Sequence, residues 1–210
     1  MPVSTSVKRL TVVSVVSVAA VAASVVPAVA APAGPPSTSD SVPGSTARPG
    51  ALGPLGPLVD LAIQRLFVSD QVAAAKFGTT QPIDDPAREQ QELNEVRHAA
   101  TELGIDPEAT AAFFADQIAA SKVVQKGLFE LWTARPELAP VSKPDLTQIR
   151  EELDQLTTEI LGQLVATDRL RQQPVACRVG LATAAVSGAA VNHLDRLHRQ
   201  ALAVAVRSSC

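Results

Sequence analysis

The stretch PIDDPAREQQEL, residues 82–93, decides how the chain is read. Its second half opens an amphipathic helix whose apolar stripe runs through Leu93, Val96, Ala100 and Leu103. Stepping that stripe back by four residues puts Glu89 on it, with Arg88 beside it and Asp85 one turn earlier. A helix is held in a protein by burying such a stripe, and an unpaired buried charge is strongly unfavourable. Charged groups on the inward side therefore need a reason.

The same helical period recurs along the chain. It predicts a first helix over 58–77, stopped by Gly78, and a second from Asp84 or Asp85 to Gly104, with Pro86 in its first turn. A third follows Asp106 and Pro107, a good cap and a good first residue, and reaches about Trp132. A fourth starts after Pro144 at Asp145 and runs to about Arg171. A fifth begins near Pro174 and continues to about Arg207, with a break expected near Ser187–Gly188. No strand-like alternation bounded by turn residues interrupts this pattern. The expected class is all-α: one domain, a bundle of five to six helices. Composition agrees, since the chain is 46% hydrophobic but has only five Phe, one Trp and no Tyr, which favours aliphatic helix packing over an aromatic-rich sheet.

The first residues read differently. Lys8 and Arg9 precede an apolar run from Leu10 to Val26, and Ala28–Ala30 supplies small residues before a cut. This is the pattern of a secretory signal peptide over residues 1–30, cleaved near Ala30. As a membrane anchor the run is too short and too rich in Ala and Ser, so no stable membrane association is expected after cleavage. Residues 31–57 are Pro, Gly, Ser and Ala with little to bury, a flexible linker, which leaves 58–210 as the folded domain. The expected location is secreted or periplasmic. The full chain carries a net charge of −3. Removing residues 1–30 takes two of its 18 basic residues and none of its 21 acids, so the mature protein carries −5. With no basic block it lacks the electrostatic footprint of a nucleic-acid binder. Its two cysteines, Cys177 and Cys210, form an even count in an oxidising compartment, which argues for one disulfide pinning the C-terminal segment.

The inward polarity of residues 85–89 is not isolated. In the third helix the line Phe114, Ile118, Ser121, Gln125, Leu128, Trp132 is interrupted by Ser121 and Gln125. In the first, Leu58, Leu61 and Ala62 lead to Arg65, Val72 and Lys76; Arg65 and Lys76 lie three turns apart on one side. In the fourth, Arg150 lies on the seam of Leu146, Leu153, Thr157, Ile160 and Leu164. One long cation on a seam snorkels to solvent. Four helices that all do this point to a polar pocket inside a bundle. The candidate cations are Arg65, Lys76, Arg88 and Arg150 and the candidate anions Asp85 and Glu89, a surplus of two positive charges suited to a small dianion.

Arg65, the step to Lys76, the run Asp85–x–x–Arg88–Glu89, the pair Ser121–x–x–x–Gln125 and the later Arg150 resemble the all-helical chorismate mutases. The leader, VDLAIQRL, IDDPAREQQ, FFADQI and the two late cysteines resemble their secreted subclass. The resemblance implies conversion of chorismate to prephenate, a unimolecular Claisen rearrangement that needs no cofactor, nucleophile or proton transfer. It implies that Arg65 and Arg150 clamp the substrate carboxylates, that Lys76 sits between a carboxylate and the ether oxygen, that Gln125 donates to that oxygen, and that Glu89 accepts from the ring hydroxyl. Ser121 and Arg88 complete the polar shell and Asp85 orients the cations. The relatives are commonly homodimers, and the subclass serves aromatic amino acid biosynthesis from the shikimate pathway.

Individual residues keep second readings. Asp85 also fits the N-cap of its helix. Ser121 also fits simple helix packing. Glu92 is expected in solvent, and Trp132 in the core. His193 and His198 are five apart, not the four of a helical metal pair, and no third ligand is evident, so no metal site is expected. Two other functions fit parts of the pattern: an isochorismate-pyruvate lyase of the same fold, and a non-catalytic exported helical adaptor, which would show an exposed apolar groove.

Overall fold

The computed structural model describes residues 50–210. The expected signal peptide and most of the expected linker lie outside them. Among the described residues there are six α-helices and one short 3₁₀ turn: α1 (Gly56–Lys76), α2 (Pro86–Leu103), α3 (Pro107–Ala134), the 3₁₀ turn Pro136–Leu138, α4 (Leu146–Arg171), α5 (Pro174–Val191) and α6 (Arg196–Ala205).

Local chemistry sets most of these boundaries. Asp85, Asp106, Asp145 and Asp195 each cap a helix by accepting a backbone N–H from its first turn. Proline occupies the first turn of α1, α2, α3 and α5. Gly104 ends α2 with φ of 72°, a left-handed conformation that a side chain disfavours.

The fifth expected helix is two helices, and it breaks elsewhere than predicted. Helix α5 runs straight through Ser187 and Gly188. Gly188 faces α1, where an added Cβ would lie 3.0 Å from Ile63 Cδ1, 3.1 Å from Ala51 Cβ and 3.3 Å from Val59 Cγ1. Its missing side chain serves close packing, not a turn. Ser187 Oγ donates to Thr183 O (2.7 Å), as helix-interior serines do, and accepts the N–H of Leu52 (2.8 Å). The real break lies at Asn192–Asp195, where His193 takes φ of 51° and Asp195 restarts the helix.

Helix α1 is the hub, packing against α3, α4, α5 and α6, while α3 also carries α2 and α6. Leu55, Leu58, Ile63, Leu66, Phe113, Phe114, Ile160 and Leu164 are fully buried between them. Trp132 is buried, edge-on to Phe77, as expected of a core residue. Leu103 departs from the predicted α2 stripe: at the last turn it stands 47% exposed, while Val96 and Ala100 are buried.

The C-terminal segment is tied down by polar bonds as well as by packing. Asp116 accepts the N–H of Ser208 (2.7 Å), and Gln117 Nε2 donates to Ala205 O (2.7 Å). The expected disulfide joins Cys177 to Cys210 across a separation of 33 residues. His198 lies between two carboxylates, 3.0 Å from Asp70 on α1 and 2.9 Å from Asp195. The bonds to Asp70, then to Asp195, outweigh burial and raise His198 from 6.5 to about 9.

Two stability predictions follow from this end of the bundle. Because the folded value of His198 lies above its ordinary one, its contribution is complete below pH 6.5 and disappears as pH rises through about 9. Both carboxylates are partly exposed, so solvent reduces the gain to about 1–2 kcal/mol. Urea unfolding at pH 6 and pH 10 should show that loss in the native sequence, and His198→Gln should flatten it. Replacing both Cys177 and Cys210 by Ser should lower the unfolding free energy by about 4 kcal/mol in the chain-entropy picture. Denaturant midpoints of the oxidised native protein and the double variant measure it.

Candidate active site

A cavity of about 860 Å³ opens between α1, α2, α3 and α4 and the loop that leads into α2. All eight residues predicted for the site line it: Arg65, Lys76, Asp85, Arg88, Glu89, Ser121, Gln125 and Arg150. They do not lie at one depth. Arg65 and Gln125 are buried, Lys76, Glu89 and Ser121 are half-buried, and Asp85, Arg88 and Arg150 are exposed at the mouth.

Arg65 forms the floor. Its Nη1 donates to Thr157 Oγ1 (2.9 Å) and, at 3.4 Å, to Leu153 O; its Nη2 donates to Glu92 Oε1 (3.2 Å). Its guanidinium carbon sits 5.7 Å from the centre of the Phe114 ring. Burial pulls the group below its ordinary value and Glu92 pulls it back, but a guanidinium keeps its charge at any physiological pH. Glu92, expected in solvent, is thus the partner of the buried cation. A charge at this depth cannot stay unpaired, and α2 brings the nearest carboxylate.

Above Arg65 a hydrogen-bonded chain crosses to α3. Ser69 Oγ donates to Arg65 O (2.8 Å), Ser69 Oγ and Ser121 Oγ are 2.9 Å apart, and Gln125 Nε2 donates to Ser121 Oγ (3.0 Å). Ser69 has a single proton, committed to the carbonyl, so Ser121 must donate to Ser69 and accept from Gln125. Ser121 is therefore more than a small packing residue. One N–H of Gln125 remains uncommitted, and its Oε1 is buried without a partner. An orphaned buried acceptor is uncommon away from functional sites.

Lys76, the last residue of α1, donates to Pro82 O (2.9 Å). Burial holds its ammonium below the ordinary lysine value, opposed by Asp85, Asp84 and Glu89. Glu89 Oε2 accepts from Lys122 Nζ (2.9 Å), and its Oε1 accepts the N–H of Asp85 at 3.2 Å. The hydrogen bond from Lys122 to Glu89 raises Lys122 above its ordinary value. Asp85 itself is the N-cap of α2, accepting the N–H of Arg88 at 3.1 Å, and its carboxylate stands in no ion pair among the described residues. The neighbouring Asp84 pairs instead, with Lys126 at 2.9 Å and Lys122 at 3.5 Å.

The structure corrects two expectations. Arg150 is not on the buried seam of α4; Ile149, Leu156, Ile160 and Leu164 are, and Arg150 stands one residue round the helix at the cavity rim. The cavity also has no charge surplus. Lys122 adds a cation, and Glu92, Glu95 and Asp154 add acids, so five cations face five acids. Two of each are paired, Arg65 with Glu92 and Lys122 with Glu89, whereas Lys76, Arg88 and Arg150, and likewise Asp85, Glu95 and Asp154, have no ion-pair partner among the described residues. Sequence reading also missed Ser69 and Gln117. Ser69 lies one turn past Arg65, a spacing that could have flagged it. Among the described residues no three His, Cys, Asp or Glu side chains cluster as metal ligands.

The family profile of chorismate mutase type II matches residues 57–126. The chain is 38% identical over 153 residues to the secreted chorismate mutase of Mycolicibacterium smegmatis, covering 73% of this chain and 84% of that one. It is 34% identical over 164 residues to the secreted chorismate mutase of Mycobacterium tuberculosis, covering 78% and 82%. Among solved structures, the chorismate mutase of Burkholderia phymatum superposes with a TM-score of 0.70 at 36% identity, covering 75% of this chain and 96% of that one. That of Burkholderia thailandensis gives 0.69 at 37%, covering 73% and 97%.

Proposed function

Because the chain belongs to the chorismate mutase type II family and is a chorismate mutase, we propose that the cavity between α1 and α4 is where it rearranges chorismate to prephenate. In this reaction the ether C–O bond breaks as a C–C bond forms, with no proton transferred. The catalyst must hold the enolpyruvyl arm over the ring and stabilise charge on the departing oxygen.

The observation that carries the reading is the convergence of Arg65, Lys76 and Gln125 on one partly enclosed cavity. Arg65 at the floor and Arg150 at the rim take the two carboxylates. Lys76, with no carboxylate partner, bridges a carboxylate and the ether oxygen. The uncommitted N–H of Gln125 donates to that oxygen, and Ser121 fixes the amide. Glu89, held by Lys122, accepts from the ring hydroxyl. Arg88 adds charge at the mouth, and Asp85 acts on the cations at a distance while it caps α2. All eight residues come from one chain, so turnover in this reading needs no second copy. We also read the protein as exported, its leader cut near Ala30; the two mycobacterial relatives are secreted by name.

Residues 31–210, purified and mixed with chorismate, should consume its absorbance. Lys76→Ala should keep its helical circular dichroism and lose turnover by about 100- to 1,000-fold. An exported adaptor would be indifferent to that change. Gln125 donates at any ordinary pH, whereas Glu must first be protonated. Activity should therefore persist through neutral pH and fail on the alkaline side as the depressed Lys76 ammonium deprotonates. Gln125→Glu should move the optimum to acid; an unchanged profile would remove Gln125 from the ether oxygen.

A further inference from the structure

Arg65 is gripped from three neighbouring helices, and the grip is selective. Nη1 is turned to α4, where Thr157 Oγ1 at 2.9 Å and Leu153 O at 3.4 Å both accept from it. One Nη2 proton goes to Glu92 of α2 at 3.2 Å, and Phe114 of α3 lies against the guanidinium. A guanidinium has five N–H donors. At least two remain, enough to meet a single carboxylate as a fork. The partners are themselves fixed: the Thr157 hydroxyl spends its proton on Leu153 O (2.8 Å), so it can only accept from Arg65.

We propose that Glu92 and Thr157 are positioning residues for the rearrangement, acting through Arg65. They turn its plane so that unused N–H groups face the cavity as one carboxylate-binding fork. This rests on the mutase reading above and adds two residues to it. Glu92 has a second effect. Its carboxylate balances Arg65 while the cavity is empty, so a buried cation can wait there without substrate. The fork holds a carboxylate that takes no part in bond making, so it binds the substrate and the transition state alike. Losing its alignment should weaken binding more than chemistry.

The test is steady-state kinetics with chorismate on the native protein and four variants. Thr157→Val and Glu92→Leu should each raise KM about tenfold, with kcat within about twofold of the native value. Thr157→Ser keeps the hydroxyl acceptor and should restore KM to near native; Glu92→Gln keeps the oxygen but not the charge and should recover only part of the loss. Glu92→Leu strips a buried cation of its counter-charge and risks the fold; Thr157→Val does not, and decides alone if need be. The proposal is overturned if kcat falls while KM stays put, if KM is unmoved, or if the conservative variants do no better than the drastic ones. Failure of the mutase reading looks different: the native protein itself would leave chorismate untouched.

Discussion

A guanidinium buried between four helices is the constraint on which the rest of this structure depends. Arg65 sits on the central helix α1, flanked by buried Leu61, Ala62, Ile63 and Leu66. Taking that charge from water costs several kcal/mol unless it is paired and hydrogen-bonded. The need accounts for features that otherwise look unrelated: a carboxylate at Glu92 in α2, a hydroxyl at Thr157 in α4, and an aromatic ring at Phe114 in α3. Three helices are held in register by one side chain. A hydrophobic residue at position 65 would avoid that desolvation cost.

Inward polarity is used for two separate purposes. Around the cavity it leaves donors uncommitted: N–H groups on Arg65, one on Gln125, and three cations without an ion-pair partner among the described residues. At the other end of α3 the polar groups are spent on the fold. Asp116 and Gln117 bind the chain end after α6, and His198 ties α6 to Asp70 of α1. Buriedness alone would have ranked Asp116, Gln117 and His198 beside Arg65 and Gln125. What separates them is whether their bonding capacity is exhausted. Gln117 stands on the border, lining the cavity with a buried Oε1 that has no partner while its Nε2 serves α6.

The helices were legible because each carries its own local signals. Asp85, Asp106 and Asp145 cap, prolines open, and Gly104 closes, all within a turn of the boundary they set. Where the reading failed, the cause was tertiary. Ser187–Gly188 looks like a breaker in isolation and is a contact surface for α1 in the bundle. The break at Asn192–Asp195 carries a local signal of its own, the capping Asp195. The eight candidate site residues were legible by helical spacing. Glu92 and Lys122 were not: Glu92 has the spacing of its helix's inward line yet reads as a solvated acid, and each is defined by a partner on another element.

The equal count of cations and acids bears on how a dianion can be held. Charge count alone would predict weak attraction, but counting treats all ten groups alike. Glu89 and Glu92 are engaged by Lys122 and Arg65, so neither projects its full field into the cavity, while Asp85, Glu95 and Asp154 stand in no ion pair among the described residues. Lys76, Arg88 and Arg150 meet no carboxylate of their own, and a bound dicarboxylate would be the partner they lack. Attraction to a dicarboxylate would then depend on where the unpaired cations stand, not on net sum. Such a site can bind two carboxylates without storing a large excess of like charge in the empty protein, where it would push the four helices apart.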